Sequence, residues 1–291
     1  MNTHFQKGNL RGSLWFITLF SVFGLTAQQN FGGLALYTVR DDMSSDSQKT
    51  LQHVSETGYA YIEAAGYDNG NFYGLTPVAF KALLNEVNLV PVSSHHSSIT
   101  LKDADEHFKA VKEAGFQFIV VPIPPMGMFT FDQSTMEMGM KGSVERLAEI
   151  LNDLGRRANA YGLQLLYHNH DFEFRPNEDG VVPIEYLLEN LDAAYVNFEM
   201  DLFWVIKAGA DPLDYFERFP GRFKLWHVKD MGSNGLFAPV GEGSIDFKRI
   251  LEKKDRSGME HYFVEQDLTF DLQPLEAIKI SHKALSQIGF D

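Results

Sequence analysis

The sequence predicts an α/β chain folded as one closed (β/α)8 barrel, and three observations predict it. Eight short apolar or β-branched runs recur along the chain, and amphipathic stretches with apolar residues at i, i+3 and i+4 lie between many of them. Strands that alternate with helices pair in parallel, and eight such units in roughly 260 residues match the size of a barrel. No Pro/Gly/Ser-rich linker divides the 291 residues, so the whole reads as a single domain.

Taken in order, the run at 33–37 is followed by an amphipathic stretch at 47–57, which Gly58 closes. The run at 61–65 leads to 76–87, and that at 90–94 to 104–114 with Gly115 behind it. After 118–122 comes a long interval punctuated by Met126, Met128, Met136, Met138 and Met140, read as a lid with no chemistry of its own, and then 144–161. Gly162 introduces the run at 163–168; 196–201 and 223–227 follow, and Gly258 precedes 261–266. The stretch at 274–288 ends the series. Glycine just before a strand suits the left-handed turn that ends a helix.

Composition narrows the function. With 44% hydrophobic and 13% aromatic residues the chain has ample material for a core. A formal charge of −14 and pI near 5.1 oppose binding to a polyphosphate backbone or an anionic membrane surface, which argues against a nucleic-acid enzyme. The absence of cysteine excludes disulfides, thiolate metal sites and a cysteine nucleophile. Lys7 and Arg11, an apolar run from Leu14 to Ala27 and then Gln28 have the layout of a secretory signal, so residues 1–28 are expected to be removed and 29–291 to form the barrel. The run is shorter than the ~20 residues that span a bilayer. A periplasmic or secreted product with a charge of −16 is the expectation.

The polar residues carry the functional reading. Strand after strand ends in ionisable groups: Glu63; His95 and His96; His168 and His170; Glu199 and Asp201; His227 and Lys229; Glu265 and Asp267. In a barrel these ends converge on one mouth, and residues two apart on a strand share a face. A lone buried histidine is usually a satisfied core residue; six strands ending alike point to a common ligand. Imidazole and carboxylate donors without thiolate suit Mn, Zn, Fe or Co, with Mg admissible where carboxylates dominate.

Several motifs resemble the xylose-isomerase-like barrels, which include sugar-phosphate isomerases and epimerases, inosose dehydratases, ketohexose 3-epimerases and the endonuclease IV group. They are Tyr167-His168-Asn169-His170-Asp171-Phe172-Glu173-Phe174, Asp201-Leu202-Phe203-Trp204 with Ala208-Gly209-Ala210-Asp211-Pro212, His227-Val228-Lys229-Asp230, Gly241-Glu242-Gly243 and Val264-Glu265-Gln266-Asp267. The resemblance is strongest to exported proteins of the sugar phosphate isomerase/epimerase branch. It implies one divalent ion held by residues of strands five to eight, here His168, Asp201, His227 and Glu265. Two positions depart from the pattern: His168 stands where relatives carry glutamate, and Trp204 where many carry histidine. Family epimerases use two metal-bound glutamates on opposite faces, so the missing glutamate implies chemistry with a single base.

The expected site therefore has Glu265 as base and Lys229 as oxyanion stabiliser, with Glu63, His96, His170 and Trp204 contacting the substrate. Trp204, Trp226 and Phe172 are expected to offer aromatic faces to a sugar. The expected reaction is enolisation beside the carbonyl of a neutral sugar or keto-sugar, leading to isomerisation or epimerisation. Elimination from an inosose or a 3-keto-glycoside is the alternative, and a non-catalytic sugar-binding barrel a further one. The partner is a small carbohydrate, with self-association open.

Overall fold

The structure, a computed structural model, describes residues 1–4, 30–135 and 137–291. The stretch read as a signal lies almost wholly outside the described residues, as does Met136. Among the described residues no helix is long and apolar enough to cross a membrane.

All eight runs are strands: β1 (Gly33–Ala35), β2 (Tyr61–Ala64), β3 (Val90–His95), β4 (Phe118–Val121), β5 (Gln164–His168), β6 (Val196–Asp201), β7 (Phe223–Val228) and β8 (His261–Val264). Each pairs in parallel with its neighbours in sequence, and β8 closes against β1. The five amphipathic stretches are helices within a residue of their expected bounds. Thr76 and Ser143 cap two of them by accepting backbone N–H groups of Ala79 and Arg146. The Met-rich interval read as a lid contains an antiparallel hairpin, Phe129–Asp132 with Glu137–Met140. Shorter helices that the reading did not pick out, such as Leu202–Lys207 and Pro212–Arg218, complete the outer ring.

Two apolar layers hold the barrel. Side chains turned outward meet the helices in the main core, and Trp226 belongs there: it is fully buried and stacked on Phe216 at 5.2 Å, so it offers no face to a sugar. Side chains turned inward form a separate plug including Val92, Phe118, Val120, Leu166, Leu225 and Phe263. Each such buried side chain contributes roughly 1.5–3 kcal/mol. Gly33 in β1 has no alternative, since a Cβ there would overlap Tyr61 and Phe263. Above this plug the interior changes to charged and imidazole groups.

Two register shifts lie beside the site: one between β6 and β7, where Phe198 pairs with Phe223 but Glu199 with Leu225, and one between β2 and β3. Between β2 and β3 the register pairs Ile62 with Pro91 but Glu63 with Ser93, so β3 carries one extra residue, Val92. A one-residue slip exchanges the faces of everything beyond it.

Candidate metal centre

The interior polar groups form two levels joined by two histidines. The lower level is Glu63, His95 and Glu199, all on the barrel side of their strands. Ser93 Oγ donates to Glu63 Oε2 at 2.6 Å, and His95 Nε2 lies 3.0 Å from Glu63 Oε1 and 2.7 Å from Glu199 Oε2. The upper level is Asp201, Glu265 and Lys229. Its ammonium sits 2.9 Å from Asp201 Oδ2, 2.7 Å from Glu265 Oε2 and 2.9 Å from Asp267 Oδ1. Lys229 is 1% exposed, so it is no solvated charge past the end of its strand.

His168 and His227 span both levels. His168 Nδ1 is 2.9 Å from Glu199 Oε2 while its Nε2 is 3.8 Å from Asp201 Oδ2. His227 Nε2 is 2.7 Å from Glu63 Oε1 and 3.3 Å from Glu199 Oε2; its Nδ1 is 2.8 Å from Glu265 Oε2 and 3.9 Å from Asp201 Oδ2. Each ring thus shows one nitrogen to each level.

Local structure orients these side chains. Asp201 is the last residue of β6 and the N-cap of the helix Leu202–Lys207: its Oδ1 accepts the N–H groups of Phe203 and Trp204, which leaves Oδ2 for the interior. Asn169 fixes the adjoining backbone, accepting from Asp201 N and donating to Asp201 O. Asp230 accepts from the N–H groups of Gly241, Gly243 and Ile245, which accounts for the Gly-Glu-Gly motif: a Cβ on Gly243 would overlap the Asp230 carboxylate.

Burial sets the protonation states except where a partner overrides it. Burial would lower His95, but Glu63 and Glu199 outweigh it and raise its pKa to about 10. His227 is likewise held well above its ordinary value, against burial, by Glu199, Glu265 and Glu63. Burial pushes Asp201 up to about 6, with Lys229 and His227 opposing. Glu265 goes the other way: despite burial, Lys229 and His227 hold it well below the usual range. Burial, with the Lys229 ammonium next, takes His170 down to about 3, so it is a neutral imidazole.

The donor set fits a divalent ion. Asp201, His227 and Glu265 offer ligand atoms within 4.8 Å of one another, and His95, His168, Glu199 and His227 form a second such group. Asp201 Oδ2 is buried and receives no well-directed hydrogen bond among the described residues, although Lys229 stands at ion-pair distance. A buried carboxylate oxygen left in that state suits a cation.

Of the expected contacts, His170 and Trp204 stand beside this group, their rings 5.5 Å apart, with His170 5.1 Å from His168. His96 does not. The extra residue in β3 turns Ser93 and His95 inward and Ser94 and His96 outward, where His96 bonds His107 Nδ1 at 2.8 Å and Ser94 Oγ at 3.0 Å against the ring of Tyr67. Its expected role in substrate binding is corrected to a packing role. Glu63 is also corrected: 1% exposed and bonded to Ser93, His95 and His227, it underlies the histidines instead of facing a substrate. His95 and Glu199 were legible as strand-end polar residues but not as parts of the site.

A family model described as the xylose isomerase-like TIM barrel matches residues 51–269. The chain belongs to this family. It is similar to an inosose dehydratase of Lacticaseibacillus casei, 32% identical over 144 residues, a match covering 42% of this chain and about half (47%) of that protein. An inosose dehydratase of Bacillus thuringiensis is 25% identical over 266 residues, 78% of this chain and 86% of that one. A sugar phosphate isomerase/epimerase from Parabacteroides distasonis superposes with a TM-score of 0.71 at 24% identity, covering 92% and 97% of the two chains. The same fold occurs in a protein solved with a zinc atom (TM-score 0.66) and in one from Mycobacterium smegmatis in complex with magnesium (TM-score 0.64).

Proposed function

We propose that this protein is a divalent-metal-dependent carbohydrate enzyme that enolises a carbon beside a carbonyl with one base, isomerising a sugar or keto-sugar. The observation that carries the reading is the convergence of Asp201, His227 and Glu265, with the Lys229 ammonium against the two carboxylates and His168 Nε2 turned toward the same Asp201 oxygen. An ion of Mn, Zn, Mg, Fe or Co held by His168, Asp201, His227 and Glu265 supplies Lewis-acid polarisation of a substrate carbonyl or vicinal diol.

Glu265, kept ionised by Lys229 and His227, is the group to take the proton. Lys229, a buried ammonium 2.7 Å from it, neutralises the negative charge that then develops on the substrate oxygen. His170 offers a neutral hydrogen-bonding ring to sugar hydroxyls and Trp204 an apolar face. Neither candidate for a second base among the described residues faces the site: Glu173 is fully buried and turned to Tyr167 OH at 2.7 Å and His170 N at 2.9 Å, and Glu63 lies below the histidines. Isomerisation should therefore outrun epimerisation.

The similarity to inosose dehydratases favours a second reading, elimination of water from an inosose or of a substituent from a 3-keto-glycoside, with the same base and a different leaving group. Metal analysis followed by incubation with ketoses, inososes and 3-keto-glycosides in deuterated water tests both. Metal-dependent deuterium exchange with an isomer formed supports the first; an unsaturated or deoxy product supports the second. Sugar binding undiminished after metal removal, with no turnover, would favour a non-catalytic barrel. Export is part of the proposal and is checked by sequencing the N-terminus of secreted protein, expected to begin near Gln28 or Gln29.

A further inference from the structure

In the resemblance of the chain to its family, a glutamate ligand is replaced by His168, and the exchange has a chemical consequence. A carboxylate presents lone pairs on both oxygens. A neutral imidazole has one N–H and one lone pair, so it can hold an ion only if its proton is kept on the other nitrogen. Something must therefore accept that proton.

We infer that Glu199 and Glu63 are positioning residues for the metal centre: Glu199 holds the proton of His168 on Nδ1 and Glu63 that of His227 on Nε2, which turns His168 Nε2 and His227 Nδ1 toward Asp201 and Glu265. The inference rests on the metal reading above. An ionised carboxylate only accepts, so with both carboxylates ionised a ring nitrogen 2.9 Å from Glu199 or 2.7 Å from Glu63 donates. The opposite nitrogens face the upper level: His168 Nε2 lies 3.8 Å from Asp201, and His227 Nδ1 lies 2.8 Å from Glu265, to which it donates a second proton that an ion would displace. Glu63 is 1% and Glu199 0% exposed, so bulk solvent does not reach these acceptors.

Most of the carboxylate oxygens behind the rings are already engaged, although Glu199 Oε1 is buried with no partner among the described residues. Glu199 Oε2 already meets three imidazole nitrogens, of His95, His168 and His227, at 2.7, 2.9 and 3.3 Å. Glu63 is engaged by Ser93, His95 and His227. His95 Nε2 touches both carboxylates and ties them into one unit, so loosening either loosens both. Acceptors behind metal-bound histidines commonly govern affinity by 10- to 100-fold.

The test is the affinity of Co2+ and Mn2+ for the intact protein, by calorimetry, with the visible spectrum of bound Co2+ as a second readout that a change in packing alone would not shift. Glu199→Gln and Glu63→Gln keep shape and remove the charge, so they are expected to fold. Each should weaken Co2+ binding by about 10- to 100-fold and alter the spectrum, whereas Asp201→Ala should abolish binding. In a His168→Glu background, Glu199→Gln should cost less than about threefold, because no imidazole at 168 then needs its proton held.

Variants that bind Co2+ within twofold of the parent, with the same spectrum, overturn the inference. So does a loss as complete as in Asp201→Ala, which would make Glu199 a ligand. A parent protein that binds neither ion overturns the metal reading itself; binding by the parent with unaffected glutamine variants overturns only the positioning role.

Discussion

The mouth of the barrel and the pocket just outside it, beneath the helix Ala104–Ala114, both bury imidazoles, and they do so by opposite means. Inside, His95 lies between Glu63 and Glu199 and is raised to about 10. Outside, its neighbour His96 faces His107, Ser94 and the rings of Tyr67 and Phe72; burial, then His107 and His95, hold it well below its ordinary value. Burial disfavours the charged ring in both places, and only a facing carboxylate reverses it. Residues adjacent in sequence thus become an ionic group at the mouth and a neutral group in a wall.

The largest difference should appear on removing a ligand. Asp201→Ala, or chelation of the parent, is expected to lower turnover by at least about 10³-fold, roughly 4 kcal/mol, with metal content falling in parallel. Full metal content in Asp201→Ala would take that residue off the ligand set.

Next is His95→Leu, which leaves two buried carboxylates without their shared partner. A loss of about 3–5 kcal/mol in unfolding free energy is expected from denaturant titration. A loss below 1 kcal/mol would mean that the lower level is not held by charge.

Glu173 sharpens the comparison, because it is a carboxyl at the edge of the site with no cation beside it among the described residues. Burial pushes it up to about 8, Tyr167 and His170 N opposing. Between about pH 4.5 and 8 the folded protein keeps a proton that the unfolded chain has released. Its contribution is therefore full below about 4.5 and is lost as pH rises through about 8. Glu173→Gln should flatten that decline and be more stable than the parent at pH 8.5 by an amount on the order of 2 kcal/mol, measured as unfolding midpoints across pH. Parallel profiles for the two proteins would show that Glu173 is ionised in the native state.

The smallest effect belongs to the outer pocket. His96→Leu removes a neutral hydrogen-bonded pair and should cost about 1–3 kcal/mol of stability while turnover stays within twofold. A large loss of activity there would return His96 to the site.

The periodicity of apolar runs, together with glycines such as Gly58 and Gly115 at left-handed helix ends, was enough to read the barrel, because both are local consequences of backbone geometry. The same local rule put Asp201, His227 and Glu265 at one mouth, since strands of a parallel barrel all end on the same side. It could not choose between His95 and His96. Alternation counted from Val92 turns His96 inward; one extra residue in β3 reverses it, and that register exists only in the pairing with β2. Nor could it find the partners of Glu63 or of Glu199, which lie 164 and 104 residues away in His227 and His95. The local pattern determined which residues stand at the ends of the strands. Which nitrogen faces which oxygen was decided only where distant strands close into a barrel, because a hydrogen bond requires contact within about 3 Å, and strand register sets that contact.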